Sequence, residues 1–408
     1  MTTISETDSK QYFQQWPNLK DFDSVVIFST ADWDNPFWTN KQHMACQLAK
    51  AGFKVLYIES LGLRKITVAK SDLGRIFRRI LRFFRGTTQV NENIWVYSPI
   101  VLPFQDKPWA QNVNTFCLQK IVSFFKWRLG FKKTLGWTYN PLVRNILKGI
   151  DFAGIVYHSV DDLSAAPRLP KAQIEMEEQQ LIKDSAIVFV TSRTLAEKYK
   201  HLAPNKLFYY PNVADYEHFS QATNPELRVP DDVAKIPGPR IGFIGAISDY
   251  KLDFGMIAEC ATLTPHWNWV LIGKVGEGDP LTDASILNKN NIHLIGPRPY
   301  KELPNYLKAF DVVVIPSPLN DYTRAMFPMK FFEYLAAGKV IVSTDLPSLK
   351  EFQSAFLLAN TPKEMVTQIE YVLQGKVGYS PKMAALAQEN TWTIRLQRML
   401  GDLNSTLK

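Results

Sequence analysis

At 408 residues, 46% apolar and 21% charged, the chain has the composition of a folded globular protein and is too long for one compact core, which implies two domains with room for an insertion. Cys46, Cys117 and Cys260 are odd in number and far apart, and the six histidines show no HxxxH or HxH pattern; both facts argue against a disulfide frame or a zinc site and for a reducing compartment. The net charge of +8 is local: residues 60–135 hold 14 Lys and Arg against Asp72, Glu92 and Asp106, and the remainder is slightly acidic.

Residues 1–20 are polar and mixed in charge, so no leader is expected, and no apolar run reaches the length of about 18 residues that spans a bilayer. The first strand reads at 23–29, followed by an aromatic loop (30–39), a helix from Asn40 to Ala51 stopped by Gly52, and a strand at 54–59. Strand, helix, strand at this spacing is a βαβ unit, so the loop lies at the C-terminal edge of a parallel sheet. There Trp33 and Trp38 offer flat faces for a sugar ring or pack against the neighbouring helix, and His43 is placed to reach a cleft or to be a satisfied structural group. Asp32-Trp33-Asp34 forms a DxD, but directly after the first strand, and no metal is expected.

Within a basic insertion (about 64–135), Leu73, Ile76, Phe77, Ile80, Leu81 and Phe84 make one helical stripe, with Arg75, Arg78, Arg79, Arg82 and Arg85 on the other side. That is the composition of an interfacial helix on an anionic membrane, or of a stripe packed on its own domain. A second aromatic and basic cluster runs from Phe124 to Lys133. No nucleic-acid module is evident, so a membrane surface is the expected partner of the basic region.

Further strands read at 94–98, 154–157, 187–191 and 207–210, closing a doubly wound domain at residue 212. The 154–157 strand runs into Asp161 and Asp162: one is expected to cap the next helix, the other, Asp161 by preference, to face the cleft. Residues 213–239 read as a linker, ending in Pro237-Gly238-Pro239. A second α/β series follows over 240–380, with strands at 240–245, 269–272, 292–295, 312–315 and 340–343. Two successive domains of this kind imply a central cleft faced by both sets of strand C-termini. Residues 381–408 read as a terminal helix with Trp392 in its middle.

The stretch from Pro328 to Thr344 is the most informative. Pro328 opens a helix, Gly338 stops it, and Lys330, Glu333, Tyr334 and Ala337 share one face. A lysine in a first turn is disfavoured by the helix dipole, and a phosphate at the same helix end reverses that penalty. An exposed Lys330–Glu333 pair on a surface helix is the plain alternative.

This stretch resembles the donor-binding helix of GT-B glycosyltransferases related to family 4, closest to bacterial enzymes of capsule, exopolysaccharide and teichuronic-acid assembly. The resemblance implies a GT-B fold of two Rossmann-like domains, with Lys330 and its helix end on the diphosphate of a nucleotide sugar and Glu333 on the ribose hydroxyls. It also implies that the turn at Gly245 and Ala246, with Lys251 nearby, borders the diphosphate, that the Arg298 loop borders the nucleobase, and that the terminal segment crosses back onto the first domain. Many members carry a sugar-contacting Glu eight positions before the one matched by Glu333; here that place is Ala325.

The expected activity is transfer of a sugar to a lipid-linked or oligosaccharide acceptor by a cytoplasmic protein held peripherally on the inner face of the membrane. Lys330 with Asp161 or Asp162 would be the catalytic groups. No cofactor or metal is expected. Retention of configuration is favoured over inversion, with Asp161 orienting the acceptor. The other reading is a catalytically silent GT-B-like subunit of a glycan-assembly complex.

Overall fold

The computed structural model describes residues 22–36, 38–61, 83, 85–102 and 107–407. The stripe residues Phe77, Arg78, Arg79, Arg82 and Phe84 lie outside the described residues.

The first sheet contains β1 (Ser24–Phe28), β2 (Lys54–Ile58), β3 (Thr88–Asn91), β4 (Ile94–Tyr97), β5 (Thr134–Thr138), β6 (Gly154–Ser159), β7 (Ile187–Val190) and β8 (Leu207–Tyr209). Their order is β3-β4-β2-β1-β5-β6-β7-β8, parallel except for the β3–β4 hairpin. The second sheet contains β9 (Arg240–Ile244), β10 (Asn268–Ile272), β11 (Ile292–Leu294), β12 (Val312–Ile315), β13 (Ile341–Ser343) and β14 (Leu357–Leu358), in the order β11-β10-β9-β12-β13-β14. Strands β7 (Ile-Val-Phe-Val) and β12 (Val-Val-Val-Ile) are continuous apolar runs, as a sheet covered on both faces requires. Each sheet has one buried apolar cluster on either side.

In both sheets the chain works outward from one strand, then returns to fill the other side. The reversal falls between β1 and β5 in the first sheet and between β9 and β12 in the second. A crevice opens beyond the C-terminal ends of the strands at such a point. Here the two open toward each other.

Three elements depart from expectation. The fully buried β5, Thr-Leu-Gly-Trp-Thr, was not anticipated: a central glycine and polar ends weaken its strand character. Its Gly136 is required by packing, because a Cβ there would lie 2.9 Å from the Phe152 ring. The linker carries short helices at Tyr216–Phe219 and Asp231–Ala234. The terminal segment is two helices, Pro381–Glu389 and Trp392–Thr406, and Trp392 opens the second instead of sitting mid-helix. Thr391 makes the break by accepting a hydrogen bond from the Ile394 N–H with its side chain.

Those two helices join the domains. Met383 and Ala387 pack in a second-domain core. Trp392, Leu396, Met399, Leu400 and Leu403 enter a first-domain core, against the Asn40–Lys50 helix.

Candidate active site

The second-domain wall of the crevice is built by the turns after β9 and β12. Lys330 begins the Lys330–Ala336 helix, and its side chain lies against the Gly245 turn. A Cβ at residue 245 would stand 3.0 Å from Lys330 Cε and 3.2 Å from Nζ, so glycine is what gives the lysine room. The ammonium sits 5.1 Å from the Phe243 ring centroid. Tyr334 pins this helix to β9 by accepting the Ile244 N–H through its hydroxyl at 2.8 Å.

Burial pulls the Lys330 ammonium down to about 8, although Glu333 draws it the other way. Burial pushes the Glu333 carboxyl up to about 7; Lys330 opposes this and Asp215 adds to it. Lys251, in the turn after β9, stands 5.2 Å from the centroids of both Tyr250 and Tyr322. Asn320 secures that turn by donating to the Tyr250 carbonyl at 2.8 Å. Glu277, from the loop after β10, completes this wall, and burial raises its carboxyl above the usual range despite Lys251 and Lys274.

The first-domain wall comes from the start of the Asn40–Lys50 helix and from the segment after β6. Trp38, Lys41 and Asp161 line the crevice. Trp38 stacks on Tyr300 of the second domain, with centroids 5.6 Å apart and planes 20° apart. At the floor, Asn40 donates to the Asn212 side-chain oxygen at 3.1 Å, and Asn212 donates to the Phe327 carbonyl at 2.8 Å. That chain of hydrogen bonds sets the spacing of the two walls.

Several candidates lie elsewhere. Asp162 caps the Leu163–Ala165 turn, accepting from Ser164, and pairs with Lys198 at 2.7 Å. These bonds outweigh its burial and hold its carboxyl below the usual range, so it is an anchor and not a crevice group. His43 is buried against Trp392, with ring centroids 5.1 Å apart and nearly parallel planes, and burial pulls its imidazole down to about 3. A neutral, covered ring of that kind is a packing group.

Trp33 packs edge-on against Tyr57 at 5.1 Å, and its backbone N–H donates to the Glu59 carboxylate; Trp38 alone of the pair lines the crevice. Arg298 pairs with Asp232 at 2.7 Å and donates to the Tyr306 hydroxyl at 2.8 Å, which turns it toward the linker and away from the crevice. Ala325 is buried in a first-domain core, where Ser192 donates to its carbonyl at 2.7 Å. The domain contact closes that position.

Lys41, Glu277 and Tyr300 are crevice residues that sequence reasoning passed over. Lys41 carried a signal, a lysine in a first helical turn that holds no acidic residue. Glu277 and Tyr300 sit in glycine- and proline-rich loops with no period to orient them. Among the described residues no group of three His, Cys, Asp or Glu side chains is placed to hold a metal ion.

Residues 238–375 match the family described as "Glycosyl transferases group 1". The "Putative teichuronic acid biosynthesis glycosyltransferase TuaH" of Bacillus subtilis (strain 168) is 28% identical over 263 residues, or 60% of this chain and 66% of that one, just under two thirds of its length. Sucrose-phosphate synthase from Thermosynechococcus elongatus superposes with a TM-score of 0.68 at 14% identity, covering 95% of this chain and 99% of that one. Anabaena Alr3699/HepE in complex with UDP and glucose gives 0.61 at 13%, covering 94% and 99%. An Escherichia coli trehalose-6-phosphate protein bound with UDP-2-fluoro glucose gives 0.62 at 14%, covering 93% and 99%. The fold is therefore GT-B.

Proposed function

We propose that this chain moves a sugar from a nucleotide-sugar donor to a glycan acceptor in bacterial surface polysaccharide synthesis, a reading supported by the match of residues 238–375 to the group 1 glycosyltransferases and by the GT-B fold. The observation that carries the reading is that Lys251 and Lys330 line the same crevice wall, Lys330 against Gly245, with Glu333 one helical turn further on. Two lysines buried on one wall of a crevice favour an anion with several charged oxygens, as a diphosphate has. The UDP and UDP-2-fluoro glucose in two solved structures of the same fold support a nucleotide sugar as that anion, and TuaH, named as a "Putative teichuronic acid biosynthesis glycosyltransferase", supports the polysaccharide setting.

In this reading the diphosphate lies against Lys251 and Lys330, Glu333 accepts from the ribose hydroxyls, and the sugar points toward Asp161. The lysines stabilise charge as the diphosphate leaves, so the reaction needs no metal ion. Asp161 orients the acceptor hydroxyl, and the departing phosphate takes its proton on the same face, which retains configuration at the sugar.

The acceptor in this reading is lipid-linked, and the first domain supplies the surface that meets the bilayer. The Pro108–Arg128 helix exposes Val113, Phe116, Phe124 and Trp127 along one side, interleaved with Lys120 and followed by Arg128 and Lys132. No described helix is long and apolar enough to cross a membrane, so the contact proposed is peripheral. The closed position of Ala325 favours the second reading, a subunit that binds donor without turning it over.

A panel of nucleotide sugars tests both readings. One donor is expected to raise the melting temperature and to release nucleoside diphosphate slowly, because a ligand specific to the folded form stabilises it. Lys330→Ala should lower kcat/KM by about 100-fold or more with the protein still folded. Unaltered turnover in that variant removes Lys330 from the mechanism, and donor binding with no release supports the silent subunit.

A further inference from the structure

Lys41 is a buried charge on the first-domain wall of the crevice. Only 7% of its surface is exposed, and it is held by the first turn of the 11-residue Asn40–Lys50 helix. Among the described residues its ammonium makes no hydrogen bond and no ion pair; the contact it does make is with the face of Tyr139, 5.5 Å from the ring centroid. Its opening is into the crevice, where Thr39 and Asn40 of the same helix start also form the wall. Asp161 attracts it without pairing, and Lys251 of the other domain repels it. A buried cation left in this state is costly, and a helix start is the wrong end for it. Both penalties are relieved by one event, an anion entering from the crevice.

We infer that Lys41 and the start of its helix form a phosphate site contributed by the first domain, across the crevice from Lys251 and Lys330. The phosphate has two possible sources. It is either part of the donor's diphosphate, which then bridges both domains, or the phosphate of an acceptor resting on the first domain. The chemistry of the site does not depend on the donor reading above; only the assignment of its source does.

The test uses the full chain and Lys41→Met, which keeps the apolar stem and removes the charge. A lysine with a structural role would lower the melting temperature when replaced. A lysine awaiting an anion should leave it unchanged or raise it, because an uncompensated buried charge has been deleted. Inorganic pyrophosphate, titrated by calorimetry, should bind the wild type and bind Lys41→Met about tenfold more weakly or worse. Equal affinity in the two proteins, or no binding to the wild type, overturns the site.

UDP, GDP and ADP then assign the source. Weakened nucleoside-diphosphate binding in Lys41→Met puts the residue on the donor. Unchanged nucleoside-diphosphate affinity with lost pyrophosphate binding puts it on the acceptor's phosphate. Pyrophosphate binding that depends on Lys41, in a protein that takes no nucleoside diphosphate, leaves this site standing and refutes the donor reading.

Discussion

Lys330 and Glu333 share a crevice that strips water from both, and burial moves them in opposite directions, to about 8 and about 7. An unfolded lysine keeps its proton to about 10.4, so the Lys330 contribution to stability is present above that value and is lost as pH falls through 8. An unfolded glutamate titrates near 4.3, so the Glu333 contribution is present below that value and is lost as pH rises through 7. Near neutrality both groups cost the empty protein stability, as expected of a site completed by its ligand. A bound phosphate requires the charged lysine. Donor affinity should therefore hold steady from about pH 7 to about 8 and fall beyond, while Lys330→Arg, which stays charged, should show no such fall. Calorimetric dissociation constants up to about pH 9.5 decide this; a wild-type affinity that is flat throughout takes Lys330 off the phosphate. The crevice position of this lysine could be suspected from sequence because a lysine in a first helical turn contradicts the helix dipole. Lys41 bears the same contradiction. Residue type alone says nothing of direction, which is why sequence left both readings open for Arg298 and His43: Asp232 and Trp392, distant in sequence, decide where they point.

The Pro108–Arg128 helix spans about 31 Å at 1.5 Å per residue, and its two sides divide cleanly. Ala110, Leu118, Val122 and Phe125 are buried, whereas Phe116 and Trp127 are 60% and 76% exposed. Large exposed aromatics at this density mark an interaction surface, and the surrounding lysines and arginines select an anionic one. In sedimentation assays the chain should bind vesicles containing phosphatidylglycerol and leave neutral phosphatidylcholine vesicles unbound. Phe116→Ser with Trp127→Ser should weaken that binding about tenfold or more, as should Arg78, Arg79 and Arg82 changed together to Glu. Unchanged sedimentation of both variants argues for another partner. Periodicity shows such a face only when polar and apolar residues separate around the helix. Here aromatics occupy both sides, so the buried and exposed faces look alike in sequence. The strand β5 was hidden for a related reason: its burial comes from β1 and β6 on either side, and the residues of β5 itself carry little strand preference.

The two-domain plan was readable because each βαβ series alternates so regularly that the strand C-termini must share one edge, and two such edges imply a crevice. What alternation cannot reveal is how the halves are held at a fixed spacing. The chain does this at several places. Asn40, Asn212 and Phe327 link the floor, Arg168 pairs with Asp279 at 3.0 Å between the domains, and the final helix returns to the first domain. That helix follows the second domain in sequence and packs with the first, so its core contacts should govern how strongly the halves unfold together. Leu396 is fully buried there, and Leu396→Ala should cost about 2–5 kcal/mol through the lost contacts and the cavity left behind. The loss falls on the first domain alone. Scanning calorimetry should therefore show the first-domain transition moving to lower temperature and separating from that of the second domain. A single transition at the wild-type temperature would mean that the returning helix contributes little to holding the crevice together, and that the Asn212 chain and the Arg168–Asp279 pair suffice.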